Sequence, residues 1–324
     1  MKAGLTGIRH ALPSAYVPSS QVSQNHQFDL EFVRGKLGIE GRYVLGPGET
    51  VSSLAANAVN KVLQDFEINP HDVGLLIVVT QTADYRIPHV SAMVQALCDI
   101  SQDAVVMDIN LGCSGYVIGL ETAVSLMQST RFNFGILVTV DAYSTIVDPL
   151  DRNTAPLFGD AATASLLSWK PRYTIGICDH GSDGLRYESL IARGSGSTAG
   201  GAPDPLYMDA RGIFNFALQK VPSSVQRCLE VNKVEPEDID LYVFHQANAF
   251  MLQALANRMG IPPEKVVMSM SDVGNTTSSS IPLALEREVL VKASDPTPVL
   301  ISGFGVGLSW ASTILFANEE IGSQ

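Results

Sequence analysis

Apolar and polar positions along the chain fall into two matching series. Residues 69–79 (NPHDVGLLIVV) carry a Pro-x-Asp turn into an apolar, largely β-branched run, and residues 235–245 (EPEDIDLYVFH) do the same. Both runs predict buried strands. An amphipathic helix is predicted after each, around Met93–Leu97 in the first half and Met251–Leu255 in the second. The match continues through AVVMDINLGCSG (104–115) and KVVMSMSDVGNTT (265–277), where Gly112-Cys113 and Gly274-Asn275 fall at the same point after a strand. GILVTVDA (135–142) pairs with PVLISGFG (298–305), and GDAATASLLSW (159–169) pairs with GLSWASTILFA (307–317).

Strands alternating with helices predict an α/β fold, with mainly parallel pairing in each half and antiparallel strands closing it. A unit repeated only twice predicts a pseudo-twofold pair of domains, 1–170 and 171–324. The Gly-, Ser- and Pro-rich stretch Gly194–Asp209 reads as a long loop with room for a functional role.

Composition narrows the function classes. The 324 residues are 46% hydrophobic and 17% charged, enough for a large core. The formal net charge of −12, from 33 acidic and 21 basic residues, argues against nucleic acid and anionic membranes as partners. No run of 18 uncharged apolar residues occurs, and MKAGLTGIRHALPSAYV lacks the apolar stretch of a signal peptide, so a cytoplasmic protein is expected. Cys98, Cys113, Cys178 and Cys228 form no CxxC pair, which argues against a structural metal site or a disulfide framework.

Cys113 stands out among the four. It lies where the strand AVVMDI gives way to Gly112, Ser114 and Gly115 and then to an apolar-periodic stretch, a strand-to-helix turn. Unpaired N–H groups at a helix start stabilise a thiolate, so a lowered thiol pKa is expected there. His245 ends a strand, at the edge where α/β sites collect, and Asn275 follows Gly274 in a turn. Each residue alone also fits a purely structural part, but the duplication brings all three to strand ends around the pseudo-twofold axis. The segment Gly303–Gly307 (GFGVG) lacks GxGxxG spacing and is followed by a strand, so it is no dinucleotide site; it fits a tight turn presenting N–H groups to an oxyanion.

Taken together, GCSG at Cys113, HQAN at His245, GNTTSSS at Asn275 and GFGVGLSW near the C-terminus resemble, in order and spacing, the β-ketoacyl-acyl-carrier-protein synthase III group of the thiolase superfamily. The resemblance extends to LGIEGRYVLGPGET (37–50) and DPLDRNTAPLFGD (148–160). It implies a homodimer of five-layered α-β-α-β-α subunits that moves an acyl group from acyl-CoA to Cys113 and condenses it with a malonyl thioester on CoA or acyl carrier protein. His245 and Asn275 would polarise the malonyl thioester, and the N–H groups of Cys113 and Gly307 would form the oxyanion hole. CoA thioesters are substrates in this scheme, and no metal or redox cofactor takes part.

Departures from the family pattern fall at the substrate entrance. Phe32 stands where typical members have a tryptophan that stacks on the CoA adenine, and Lys36 where they have an arginine; Arg152 is retained. Phe250 replaces a basic residue that meets the carrier protein, with Arg211, Arg258 and Lys265 as candidates to compensate. Rival readings are a specialised acyltransferase with a non-malonyl acceptor (ester, amide or quinolone-type product) and a non-catalytic scaffold subunit. A hydroxymethylglutaryl-CoA synthase reaction is disfavoured because Gln81 stands where a catalytic glutamate is needed.

Overall fold

The computed structural model describes residues 2–26, 28–130, 132–195, 205–291 and 297–318. Its strands are β1 (Gly4–Ala11), β2 (Ala15–Pro18), β3 (Gly41–Val44), β4 (Val73–Val79), β5 (Val105–Ile109), β6 (Phe134–Asp141), β7 (Ala161–Ser168), β8 (Tyr173–Ile175), β9 (Asp179–Ser182), β10 (Leu190–Ile191), β11 (Tyr207–Met208), β12 (Leu241–Phe244), β13 (Val299–Gly305) and β14 (Ser309–Ala317). The α-helices are α1 (Ser19–His26), α2 (Val51–Asp65), α3 (Val90–Leu97), α4 (Gly115–Thr130), α5 (Ala210–Asn232), α6 (Ala249–Met259) and α7 (Ser280–Ala284).

The main sheet runs β12-β13-β14-β8-β1-β7-β6-β4-β5, with β9 also on β14. Read outward from the β8–β1 contact at Tyr173 and Leu5, it is the same arrangement twice. On one side β1 and β7 pair antiparallel, as do β7 and β6, and then β6, β4 and β5 run parallel. On the other side β8 and β14 pair antiparallel, as do β14 and β13, and β13 and β12 run parallel. Val266 bridges Tyr242 in parallel at the position that β5 holds in the first half. The pairing predicted from the repeated apolar runs is therefore present in both halves.

Alternation along the strands divides the core into three apolar clusters. Leu76 and Val78 of β4 face α2 and α3, whereas Leu75, Ile77 and Val79 face α4. In the second half Val243, Val299 and Ile301 turn to the same α4 and α7 cluster, and Tyr242, Phe244 and Leu300 turn outward to α5 and α6. With a side-chain period of two, each half-sheet buries both faces. The result is five layers: α2 and α3, a half-sheet, α4 and α7, the second half-sheet, α5 and α6.

Helix starts are set by local acceptors. Thr50 caps α2 through Ser53 in a reciprocal capping box. The Asp108 carboxylate takes the N–H groups of Val90 and Ser91 at the start of α3, and Asp209 and Asn248 cap α5 and α6.

Part of the stretch read as a long loop is paired. Its residues 196–204 lie outside the described residues, but Tyr207–Met208 pairs with Leu190–Ile191 in a small antiparallel sheet. Gly, Ser and Pro content hid this strand because its two residues are too few to show a period.

Candidate active site

Cys113 sits two residues ahead of α4, 5% exposed, in the turn closed by Gly115 N–H on the Gly112 carbonyl at 2.8 Å. β13 passes close by. A Cβ on Gly303 would fall 2.4 Å from the Cys113 carbonyl oxygen, and one on Gly305 would fall 2.8 Å from Sγ. Gly305 also has φ +155°, a conformation that side chains rarely adopt. Only a backbone without side chains at these two points can lie against the nucleophile.

The N–H groups of Val306 and of Cys113 itself reach the Cys113 sulfur. The Gly307 N–H, expected at the oxyanion and not at the sulfur, is the next along the same turn. Gly305 at +155° and Gly307 at +130° turn the backbone on either side of Val306, and the direction of a single N–H in such a turn cannot be read from residue types.

Burial pushes the Cys113 thiol up to about 12, with the nearby Asp141 charge acting in the same sense. The expectation of a lowered thiol pKa is therefore reversed. The N–H groups of Val306 and Cys113 pull the other way, but the loss of water around the sulfur outweighs them. Cys98, Cys178 and Cys228 are likewise raised by burial to about 12.

His245 follows β12 and extends its pairing, donating its backbone N–H to the Ser302 carbonyl at 2.8 Å. The ring is 2% exposed, meets the edge of Phe304 at 5.7 Å and has Nδ1 2.7 Å from Ser280 Oγ. Burial lowers its pKa to about 3, against a weaker opposing hydrogen bond with the Thr277 main chain. The ring is neutral throughout the physiological range. The next residue, Gln246, braces the strand end: its Nε2 donates to the Phe244 carbonyl and its Oε1 accepts the Ser269 N–H.

Asn275, 4% exposed, is held by the first half of the chain. Its backbone N–H donates to the Leu157 carbonyl at 2.9 Å, and its carbonyl accepts the Gly159 N–H at 3.0 Å. Its side-chain Oδ1 accepts the Thr277 N–H and Nδ2 donates to the Ala247 carbonyl, which fixes the amide's orientation.

Sequence reasoning missed the group that secures this loop. Asp141, fully buried at the end of β6, accepts from Thr277 Oγ1 at 2.6 Å, Ser278 Oγ at 2.5 Å and the Gln81 N–H at 2.8 Å. Thr277 has φ +49°, strained for a β-branched residue, and this carboxylate helps to hold it there. A single acidic residue ending the apolar run GILVTV was the available signal.

Cys113, His245 and Asn275 meet on one cavity of about 80 Å³, completed by Tyr143, Phe158, Met208, Met251 and Phe304 among others. The four predicted substrate contacts are not in its wall. Phe250 (50% exposed) stacks on Phe214 at 5.3 Å, with Lys36 Nζ 5.9 Å from the Phe250 ring centre, and the neighbouring Met251 and Ile213 line the cavity, so these three mark its mouth. Phe32 lies on the same turn as Lys36 and is exposed, and Arg152 is exposed in the segment leading to Leu157 and Phe158. Of the proposed compensating cations, Arg258 and Lys265 line a separate groove of about 480 Å³ between α5 and α6. Lys265 is engaged there with the Glu237 and Ile239 carbonyls. Arg211 alone stands beside a cavity residue, Ala210.

Comparison with known proteins agrees with this geometry. Residues 107–184 match the family model for 3-oxoacyl-[acyl-carrier-protein] synthase III, and residues 229–316 match that of its C-terminal part. The β-ketoacyl-[acyl-carrier-protein] synthase III of Lactococcus lactis subsp. lactis is 31% identical over 322 residues, covering 97% of this chain and 98% of the relative. The chain belongs to the β-ketoacyl-acyl-carrier-protein synthase III family. The synthase III of Trichodesmium erythraeum is 34% identical over 328 residues, covering 96% and 97%. Among solved structures, a 3-oxoacyl-(acyl-carrier-protein) synthase III superposes with a TM-score of 0.90 at 33% identity, covering 97% of this chain and 99% of that one. A priming β-ketosynthase from a polyketide pathway superposes at 0.88 with 28% identity, covering 98% and 97%. The fold is the thiolase fold of these synthases, and the protein is an enzyme of the synthase III type.

Proposed function

We propose that this enzyme transfers an acyl group from acyl-CoA to Cys113 and condenses it with a malonyl thioester. The observation that carries the reading is the meeting of a cysteine, a neutral histidine and an oriented asparagine amide on one mostly apolar cavity. In the first step Cys113 Sγ, as thiolate, attacks the thioester carbonyl. The N–H groups of Cys113 and Gly307 would hold the developing oxyanion, and the CoA thiolate leaves.

In the second step the malonyl thioester carbonyl accepts hydrogen bonds from His245 and Asn275. Loss of carbon dioxide leaves an enolate held by the same two donors. Its carbon attacks the acyl carbonyl, and the Cys113 thiolate departs. His245 Nδ1 lies 2.7 Å from Ser280 Oγ, and the scheme takes the Ser280 hydroxyl as the donor of that bond. That leaves the ring hydrogen on Nε2, where it is a donor. Decarboxylation drives carbon–carbon bond formation here, so the scheme uses no metal or redox cofactor.

A homodimer is part of this proposal. β5 ends the sheet with Val105 exposed, and Tyr85, Ile87 and Leu97 are exposed nearby in sequence. An unprotected apolar edge of this kind is a site for strand pairing. Light scattering is expected to give twice the 34.7 kDa chain mass.

The catalytic reading is tested by incubating the protein with a panel of acyl-CoAs and weighing the intact chain. An acyl adduct on the Cys113 peptide, absent from Cys113→Ala, is expected. A native protein that takes up no acyl group from any thioester would fit the scaffold reading instead.

A further inference from the structure

The cavity of about 80 Å³ has room for about two or three water-sized groups, at roughly 30 Å³ each. The wall away from the mouth at Phe250 and Lys36 consists of Tyr143, Leu157, Phe158 and Leu190, all buried. The leucines can change rotamer to admit a larger occupant. Tyr143 is tied down. Its hydroxyl donates to Gln81 Oε1 at 2.8 Å, and its ring packs 4.9 Å from that of Phe158.

Gln81 is itself fixed. Its backbone N–H donates to Asp141 Oδ1 and its Nε2 donates to Asn110 Oδ1 at 3.3 Å. Thr82 Oγ1 accepts the Ala142 N–H at 2.8 Å, tying the Gln81 loop to the Tyr143 loop a second time. The amide also lies against the nucleophile turn, since a Cβ on Gly112 would fall 2.5 Å from Gln81 Oε1. Swinging the Tyr143 ring aside would cost the buried phenol its hydrogen bond to the half-buried Gln81 amide.

We propose that Tyr143, braced by Gln81, sets the length of the acyl group that Cys113 accepts, confining it to short chains of about two to four carbons. The proposal rests on the reading of Cys113 as the acyl carrier. It gives Gln81, in the position where a catalytic glutamate was considered, a part in specificity.

The experiment compares rates of Cys113 acylation by acetyl-CoA and octanoyl-CoA, followed by intact mass, in the native enzyme and in Tyr143→Leu, Tyr143→Phe and Gln81→Ala. The native enzyme is expected to favour acetyl by about 100-fold or more, the scale on which a tight pocket separates substrates. Tyr143→Leu should cut that ratio at least tenfold. Tyr143→Phe and Gln81→Ala, which release the ring without removing it, should cut it by about threefold, on the scale of one neutral hydrogen bond. A ratio unchanged in all three variants, or a native enzyme that loads octanoyl as fast as acetyl, overturns the proposal while leaving acyl transfer intact. Failure of every thioester to acylate the native enzyme overturns the acyl-transfer reading and this proposal with it. Should Tyr143→Leu not fold, the ratios of the other two variants decide.

Discussion

The Nδ1 atom of His245 lies 2.7 Å from the Ser280 hydroxyl, and burial holds the ring's pKa near 3. A base that weak is poorly matched to a thiol at about 12, which supports the proposed part of His245 as a hydrogen-bond donor to substrate over that of the thiol's base. His245→Ala and Asn275→Ala are therefore expected to accept an acyl group on Cys113 yet condense it about 10²–10³-fold more slowly, the usual loss for one oxyanion donor. Loading by intact mass and condensation by product formation must be measured separately. Loss of loading as complete as in Cys113→Ala would make His245 the base after all.

The thiol's raised pKa gives a pH dependence of definite sign. Thiolate is the reactive form, and below the pKa its fraction rises with pH. Alkylation of the free enzyme by iodoacetamide should climb about tenfold per pH unit from about pH 7 to about pH 10 without levelling off. A plateau starting near pH 7 would show that the field at the start of α4 outweighs burial. All four cysteines are raised alike, so preferential labelling of Cys113 is expected from the cavity at its side and not from acidity. Faster labelling of Cys98, Cys178 or Cys228, with activity retained, contradicts this.

Removal of the Asp141 carboxylate should release the loop that presents Asn275. Asp141→Ala leaves the hydroxyls of Thr277 and Ser278 without their acceptor, at a cost of about 1–3 kcal/mol in unfolding free energy. Condensation should fall about tenfold or more, as expected when a reacting group is misplaced, while Asp141→Asn, which keeps one oxygen acceptor, should lie between. Urea unfolding and the condensation assay together check this, and full activity in Asp141→Ala would mean that the loop is held without it.

Phe250 stands where the family resemblance leads one to expect a basic residue, and of the three candidate cations only Arg211 is next in sequence to a cavity residue, Ala210. Encounter with an acidic carrier protein should be slow and strongly salt-sensitive, with malonyl-CoA much less affected. Phe250→Arg is expected to speed condensation with malonyl-carrier protein at low salt and to leave the rate with malonyl-CoA within about twofold, since a rim charge acts mainly on encounter. A native enzyme already fast with the carrier, and unimproved by the substitution, would show that the missing charge has no effect on acceptor choice.

Much of the fold was legible because each repeated apolar run is long enough to show its period, from VGLLIVV in β4 to VLISGFG in β13. Cys113, His245 and Asn275 were legible because their positions recur at strand ends in the two halves. What escaped the sequence depends on contacts between distant segments. Asp141 reaches Thr277 across 136 residues, the burial that raises Cys113 comes from β13 and the cavity wall, and the N–H of Val306 is aimed by backbone angles at flanking glycines. Tyr207–Met208 escaped for a different reason, being only two residues long.

Cys113 and Asn275 occupy the same point of the repeat, each after a glycine and ahead of a helical segment of the central layer. Two identical units related by an exact axis would have to place one residue type at both points, and could offer a pair of nucleophiles or a pair of amides but not one of each. Because the two copies share a single polypeptide, one can specialise as acyl holder and the other as activator of the incoming partner. The backbone bonds joining Asn275 to Leu157 and Gly159 seat the proposed activator on the half that carries the proposed acyl holder, so on this reading neither copy alone would carry a complete centre.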